Sequence, residues 1–325
     1  MLSERPTFDV RLGAEERTRA LRADAVAGLT ASPKWLRPTW FYDAHGSMLF
    51  DELTRLPGYY LTRAEAAVLA GHAAEVVAAT DVHTLIELGS GASTKTRLII
   101  EAGHEHGTLR RFVGFDVSES ALASAAATLS ARYPWLAVHA VVGDFTRHLD
   151  ALPADRNRLV LFLGGTIGNL LPPDRAQLLC GLRAVLAAGD ALLLGVGLVT
   201  DPDTMVRAYR DPDGRTAEFN RNVLRVLNRA LGADFPVEAF DHVVRWDAEH
   251  EWVQLLLRAT RAITVTLGAV DLTIPFASGE LLCTAVSTRF HRAGITAELA
   301  AAGFTVEQWW PDDTDRFAVT LARAR

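Results

Sequence analysis

The sequence predicts an α/β fold: a doubly wound, mostly parallel sheet interrupted by a second, α+β domain. Three observations predict it. Short apolar runs alternate with helical segments from residue 84 to 200. β-like runs joined by short turns then take over as far as residue 285. In the tail the alternation returns and ends in two strands joined by the polar Pro311-Asp312-Asp313-Thr314-Asp315. Strands separated by helices with short connections imply right-handed βαβ units and a parallel sheet. Strands joined by short turns are antiparallel.

Residues 11–36 read as an amphipathic helix and a loop, with Pro33 and Pro38 as breakers. The connector WFYDAHGSMLFDELTRLPGYYLTRAE is dense in aromatic rings, as a segment that covers something would be. Thr62 and Glu65 have capping-box spacing, which predicts a helix from there to residue 79. Strands follow at 84–88, 111–115, 138–142, 159–163 and 191–195, with helices at 94–101, 119–132 and 174–188. Residues 216–231 form a helix with apolar spacing at Phe219, Val223, Val226 and Leu227. β-like runs occupy 242–246, 251–259, 263–267 and 270–276. In the tail a strand is expected at 286–290, a helix at 295–302, and strands at 304–310 and 317–322. The expected division is a discontinuous domain of 1–200 plus 286–325, with 201–285 inserted into it and helped by residues 55–80. A closing hairpin on a parallel sheet is, by analogy of fold, the layout of Rossmann-type methyltransferases and not of nicotinamide-binding domains.

Composition bounds the function. The chain has 325 residues, enough for about two domains. Its 33 basic and 39 acidic residues leave a net charge of −6, which argues against a nucleic-acid binder. Hydrophobic residues at 49% and charged residues at 22% fit a soluble globular protein. Cys180 and Cys283 are too few for a disulfide framework or a zinc cluster, and a reducing, cytoplasmic setting is expected. The N-terminus is charged and lacks the apolar region of a signal peptide. The run 185–199 is interrupted by Asp190 and is shorter than the roughly 18 residues a membrane span needs, so no membrane association is expected. Nothing calls for an obligate assembly, so a monomer is expected. The ten histidines show no ligand spacing, and His45, His72 and His139 read as surface or core residues; no metal is expected.

Three strand ends carry chemistry. The run Glu87-Leu88-Gly89-Ser90-Gly91-Ala92-Ser93 takes a strand into a glycine-rich turn, where a ligand can approach the backbone. Thr94 stands where a dinucleotide fingerprint needs its third glycine, which weakens a nicotinamide reading. Asp116, at the next strand end, suits a ribose diol; as a helix N-terminal acid it would equally suit the helix dipole. Asp144 and Phe145, at the third, suit an adenine amino group and its ring face, or an ordinary cap. Together the three point to an adenosyl ligand at the carboxyl edge of the sheet. Asn169, after the fourth strand, offers both a donor and an acceptor to a substrate, and is also a common turn residue. Tyr59 and Tyr60 read as packing or as site residues.

The strings WFYDAHGSMLFDELTRLPGYYLTRAE, IELGSGASTKTR, FDVSES, GDF, VLFLGGTIGNL, TAEFNRNVLRVLNRAL and FASGELLCTAVSTRF resemble the histidine-specific, S-adenosylmethionine-dependent methyltransferases that make trimethylhistidine for ergothioneine. The resemblance spans almost the whole chain. It implies S-adenosylmethionine as cofactor, S-adenosylhomocysteine as product and a free amino acid as substrate. It matches Gly89, Lys95, Asp116, Asp144 and Phe145 to cofactor-binding positions. Tyr59, Asn169 and Tyr209 match positions that hold the α-amino and carboxylate groups, with Asn169 and Tyr59 aligning the reacting nitrogen. Ser287 matches a position that helps bind the imidazole.

The chain departs from that pattern at four places. Ala285 stands where histidine-acting members carry a glutamate, Leu255 where a methionine lines the pocket, Gly197 where an aspartate follows the fifth strand, and Gly165 where a serine is usual. Three of the changes remove bulk and two remove negative charge. A carboxylate on a ring N–H contributes about 1.5–3 kcal/mol. Its loss weakens histidine binding roughly ten- to a hundredfold. The expected acceptor is therefore a different or larger amino acid. Tryptophan fits a large, less charged pocket; arginine would present its α-amine, or its guanidinium if acidic partners were supplied. A histidine Nα-methyltransferase and a catalytically silent S-adenosylmethionine-binding protein are the alternatives.

Overall fold

A computed structural model describes residues 5–91 and 93–325. Residues 1–4 of the expected N-terminus and Ala92 of the glycine-rich motif lie outside the described residues. In chain order the elements are β1 (Thr7–Val10), α1 (Ala14–Leu29), β2 (Lys34–Trp35), α2 (Ala44–Thr54), α3 (Tyr60–Thr80), β3 (Thr84–Leu88), α4 (Thr96–His106), β4 (Arg111–Asp116), α5 (Glu119–Arg132), β5 (Ala137–Val142), β6 (Arg158–Phe162), α6 (Pro172–Val185) and β7 (Ala191–Gly197). They continue with α7 (Pro202–Arg207), α8 (Arg215–Leu231), β8 (Phe240–Asp247), β9 (Trp252–Ala259), β10 (Ile263–Leu267), β11 (Leu272–Phe276), β12 (Leu281–Thr288), α9 (Arg292–Ala301), β13 (Phe304–Pro311) and β14 (Phe317–Ala324). The chain forms two compact units. One takes the residues up to Leu12, Leu61–Thr200 and Arg289–Arg325; the other takes Gly13–Tyr60 and Asp201–Thr288.

The first unit is built on an eight-stranded sheet in the order β1-β5-β4-β3-β6-β7-β14-β13. Pairings from β1 through β7 are parallel, and β14 pairs antiparallel with both β7 and β13. Every residue of β3, β6 and β7 is buried, as expected for parallel strands covered on both faces. Ile86, Val113, Phe162, Leu179, Leu194 and Phe304 form part of its core, each fully buried. From β3 the chain steps outward through β4 to β5, then returns beside β3 with β6 and steps the other way to β7. Strand order reverses between β3 and β6, and the crevice at their carboxyl ends is the usual ligand site of such sheets.

The second unit holds a four-stranded sheet in the order β2-β12-β9-β8 and a separate β10-β11 hairpin. Helix α8 buries Phe219, Val223, Leu224, Val226 and Leu227. The ring of Phe219 lies 4.8 Å from Phe41, 5.5 Å from Phe50 and 5.7 Å from Tyr42 between centroids. Asp43 caps α2 by accepting from Gly46 N at 2.7 Å, and Asn222 Nδ2 on α8 donates to the same carboxylate at 2.9 Å.

These contacts correct the expected boundaries. Residues 13–60 join the second unit, because Leu282 and Cys283 pair with Lys34 and Trp35 and because the aromatic connector packs on α8. Residues 61–80, expected to help the inserted domain, lie in the first unit instead. The strand expected at 286–290 in the parallel sheet is also corrected. Residues 281–288 form β12 of the second unit, and Phe290 makes only an isolated bridge to Leu198. A short apolar run does not declare which sheet it joins. Strand β1 was not expected: Phe8 is 46% and Val10 53% exposed, so the segment carries no burial pattern to read.

Phe219 is the shared partner of three rings, and a large-to-small change in such a site costs about 3–5 kcal/mol. Phe219→Ala is expected to lower unfolding free energy by that amount in urea titrations, with little change in the slope of the transition.

Candidate active site

The candidate site residues of the first unit cluster at the carboxyl ends of β3, β4, β5 and β6. Beyond β3, Gly89 (φ +69°) and Gly91 (φ +47°) take left-handed conformations that a side chain would strain. Gly89 N donates to Phe115 O at 2.7 Å, which seats the turn on β4. Asp116 ends β4; its carboxylate accepts from Gly91 N at 3.0 Å and Ser118 N at 2.9 Å. It therefore braces the glycine turn as well as facing the crevice. Asp144 follows β5 and accepts from Thr146 N at 2.9 Å and Thr146 Oγ1 at 2.6 Å. Phe145 stacks edge-on against Phe162, with centroids 5.3 Å apart. A Cβ placed on Gly89 would find only the Phe145 ring, at 3.8 Å, and one on Gly91 would find nothing within 4 Å. The turn is thus open above its backbone, with an aromatic ring to one side.

Beyond β6 the chain turns through Gly164 (φ +79°) and Gly165 (φ +67°) into one 3-10 turn, Thr166–Asn169, which ends on the half-buried Asn169. Lys95 precedes α4, and its ammonium pairs with Glu65 of α3. Asn169 and Lys95 stand on the β6 side of the crevice, while Asp116, Asp144 and Phe145 stand on the β4–β5 side.

Two buried acids here were not assigned a role from sequence. The spacing of Thr62 and Glu65 predicts a capping box and nothing more. The structure starts α3 at Tyr60 and buries the Glu65 side chain completely, so the carboxylate is no cap. Glu87, inside the glycine-rich motif, accepts from Ser93 Oγ at 2.8 Å and from Thr96 Oγ1. Burial pushes its carboxyl up to about 7, against the opposing hydrogen bonds from Thr96 and Ser93 and the charge of Lys95.

In the second unit a chain of contacts joins three of the residues matched to substrate, while Asn169 belongs to the first unit. The rings of Tyr59 and Tyr209 meet edge-on with centroids 5.7 Å apart, and Tyr209 Oη donates to Ser287 Oγ at 2.9 Å. Ser287 lies two residues beyond Ala285 on β12, and Ala285 is the direct cross-strand partner of Leu255 on β9. Directly opposite residues share a face, so the two altered positions lie side by side, with Leu255 buried. A bulge at Thr284 sets that register, and the Thr284 hydroxyl lies 2.6 Å from Asn220 Oδ1 and 2.9 Å from Leu255 O. Asn220 Nδ2 donates to His242 Nδ1 at 2.8 Å, and His242 Nε2 donates to Tyr209 O at 3.0 Å. A carbonyl only accepts, so His242 carries its proton on Nε2 and uses Nδ1 as the acceptor. Burial lowers the His242 pKa, which keeps the ring neutral as this network requires.

One expectation about the pocket is corrected. Gly197 does not open space. A Cβ there would lie 2.6 Å from Arg289 Nη1, and Arg289 is buried. A guanidinium has taken the room that the missing side chain would leave. A Cβ on Gly165 would meet Phe317 at 3.6 Å, an ordinary contact. Ala285 and Leu255, the other two altered positions, belong to the second unit. Among the described residues no group of three or more His, Cys, Asp or Glu side chains is arranged to hold a metal ion, and no helix is long and apolar enough to cross a membrane.

A family profile described as histidine-specific, S-adenosylmethionine-dependent methyltransferase matches residues 21–324. The chain belongs to this family. It is 50% identical over 311 residues to the histidine N-alpha-methyltransferase of Mycolicibacterium smegmatis, covering 96% of this chain and 97% of that one. It is equally similar, over the same shares, to the histidine N-alpha-methyltransferase of Mycobacterium tuberculosis. Among solved structures, an S-adenosylmethionine-dependent methyltransferase from Clostridium acetobutylicum aligns at TM-score 0.47 and 10% identity, covering 85% of this chain and 97% of that one. As a member of the family this protein is an S-adenosylmethionine-dependent methyltransferase, and the first unit fits that donor. The open glycine turn, the flanking Phe145 ring and two carboxylates on adjacent strand ends supply surface for a base, a diol and an amine.

Glu87 generates a prediction about stability. Its folded value, about 7, lies above its ordinary 4.5. Between those values the unfolded chain gives up the proton while the folded chain keeps it. The contribution of Glu87 to stability is therefore full at low pH and is lost as pH rises through that window, about 3 kcal/mol in all. Glu87→Gln is expected to flatten this slope in urea unfolding of the cofactor-free protein measured from about pH 5 to about pH 8.

Proposed function

We propose that the chain transfers a methyl group from S-adenosylmethionine to the α-amino nitrogen of a free amino acid. The observation that carries the reading is the continuous contact Tyr59–Tyr209–Ser287, on residues matched to amino-acid binding. Phenol and hydroxyl groups offer hydrogen bonds to a carboxylate and an ammonium without adding charge. The donor brings an activated methyl group on a sulfonium, so the protein's work is to orient and desolvate. In this reading Lys95, Asp116, Asp144 and Phe145 hold the donor. Tyr59 and Asn169 align the acceptor nitrogen so that its lone pair faces the methyl group, and Tyr209 holds the carboxylate. The proton leaves to water or a nearby carboxylate. Attack needs the neutral amine, so the rate rises with pH as that amine deprotonates.

Histidine is the acceptor to which the names of the half-identical relatives point. A second reading is favoured by the Ala285–Leu255 pair, which presents two apolar side chains and no carboxylate to the acceptor's side chain. It takes a larger amino acid, with tryptophan, whose side chain is less polar, ahead of arginine.

Mass-spectrometric assay of the common amino acids with isotopically labelled donor tests both readings. Methylation of the α-nitrogen of at least one free amino acid is expected, and donor binding without turnover of any of them would sink the proposal. The second reading expects kcat/KM for tryptophan to exceed that for histidine. It also expects Ala285→Glu to raise kcat/KM for histidine roughly ten- to a hundredfold, the value of one charge-assisted hydrogen bond. If the unaltered protein already prefers histidine and Ala285→Glu adds nothing, histidine is the substrate.

A further inference from the structure

Glu65 is the most completely buried carboxylate beside the crevice, and everything around it is arranged for it. Its side chain is 0% exposed. Its two oxygens accept from Gly164 N at 2.7 and 2.9 Å, and one of them pairs with the Lys95 ammonium. Gly195, in the middle of β7, keeps an ordinary strand conformation that any residue adopts, yet a Cβ there would overlap Glu65 Oε1. Glycine at 195 is explained by the space this carboxylate takes and not by its backbone. Burying an ion is costly unless it is paired and hydrogen-bonded. Here one carboxylate meets both conditions through two segments that flank the strand-order reversal.

We propose that Glu65 is a positioning residue for methyl transfer, cancelling the charge of Lys95 so that a cationic donor is accepted, and tethering the loop that carries Asn169. The proposal rests on the reading that Lys95 serves the donor and Asn169 the acceptor. The charge argument is elementary. S-adenosylmethionine is a sulfonium and carries one more positive charge than its product, a neutral thioether. An uncompensated ammonium in a partly buried site repels the former and not the latter, and the repulsion is strong where water is excluded. With Glu65 ionised, Lys95 still offers N–H donors but little net field. The loop argument is geometric. Gly164 and Gly165 are consecutive left-handed residues, and the Gly164 N–H is fixed by Glu65. Loss of that bond frees the segment leading to Asn169.

A role confined to stability would weaken donor and product binding alike. Charge cancellation separates them, and calorimetry with S-adenosylmethionine and S-adenosylhomocysteine reads the difference without any turnover. Glu65→Gln keeps the shape and removes the charge. It is expected to weaken S-adenosylmethionine binding by roughly ten- to a hundredfold and S-adenosylhomocysteine binding by no more than a few-fold. Lys95→Met leaves the carboxylate unopposed. It is expected to weaken both, while moving their ratio the other way, toward the sulfonium. Glu65→Asp retains the charge and is expected to keep the ratio near that of the unaltered protein. Opposite shifts in the two charge variants support the proposal, and an unchanged ratio in both overturns it. If Glu65→Gln does not fold, Lys95→Met alone decides by the same criterion. Failure of the unaltered protein to bind either ligand would instead overturn the functional reading beneath it.

Discussion

A parallel sheet whose strand order reverses cannot close the gap between the two connections that leave in opposite directions. Here the reversal falls between β3 and β6, and the remaining chemistry follows from it. Two glycine-containing turns leave from neighbouring strand ends, one through Gly89 and Gly91 and the other through Gly164 and Gly165, all four in left-handed conformations. Backbone is thereby exposed toward one crevice from both sides. The Gly89, Gly91 and Gly164 N–H groups are held by Phe115 O, Asp116 and Glu65, so both turns are fixed by the protein itself.

Such a crevice concentrates ionisable groups in a dry place. Glu65 and Glu87 are both buried, and Lys95 stands between their fields. A single lysine cannot fully balance two ionised acids, and the structure resolves the conflict asymmetrically. Glu65 keeps the direct ion pair and the backbone donor, while Glu87 relies on two hydroxyls and holds its proton to near neutrality. The second unit is handled differently. Its network of His242, Asn220, Thr284 and Tyr209 satisfies its polar groups with neutral donors and acceptors.

Much of this was legible from the chain alone. The strand at 84–88, the helix at 119–132 and the strand at 263–267 are found at the residues expected, because apolar runs with polar punctuation mark such elements sharply. Strand-end acids and the turn after β3 could be found because ligand chemistry in these sheets follows strand ends. What could not be read depends on partners distant in sequence. Glu65 has the spacing of a cap, and only the fold shows that it reaches Lys95 and Gly164. Gly197 looked like lost bulk because nothing local announces that Arg289 fills the space. Strand β1 lacks a buried face, and the run ending at Phe290 gives no sign that most of it belongs to the other sheet.

The way the two units share the chain has a consequence for how the protein is made. The short strand at Lys34–Trp35 finds its neighbour only when Leu282 and Cys283 have been synthesised. The sheet of the other unit likewise waits for Phe304–Pro311 and Phe317–Ala324. Neither unit holds its full set of strands until the residues from Leu281 onward have been made. During that interval the rings of Phe41, Tyr42 and Phe50 lack Phe219 to cover them, and then lack the completed sheet. Non-local pairing of this kind slows folding and leaves apolar surface available to other chains. The nascent protein therefore leaves apolar surface uncovered for longer than a chain of the same length whose domains are contiguous.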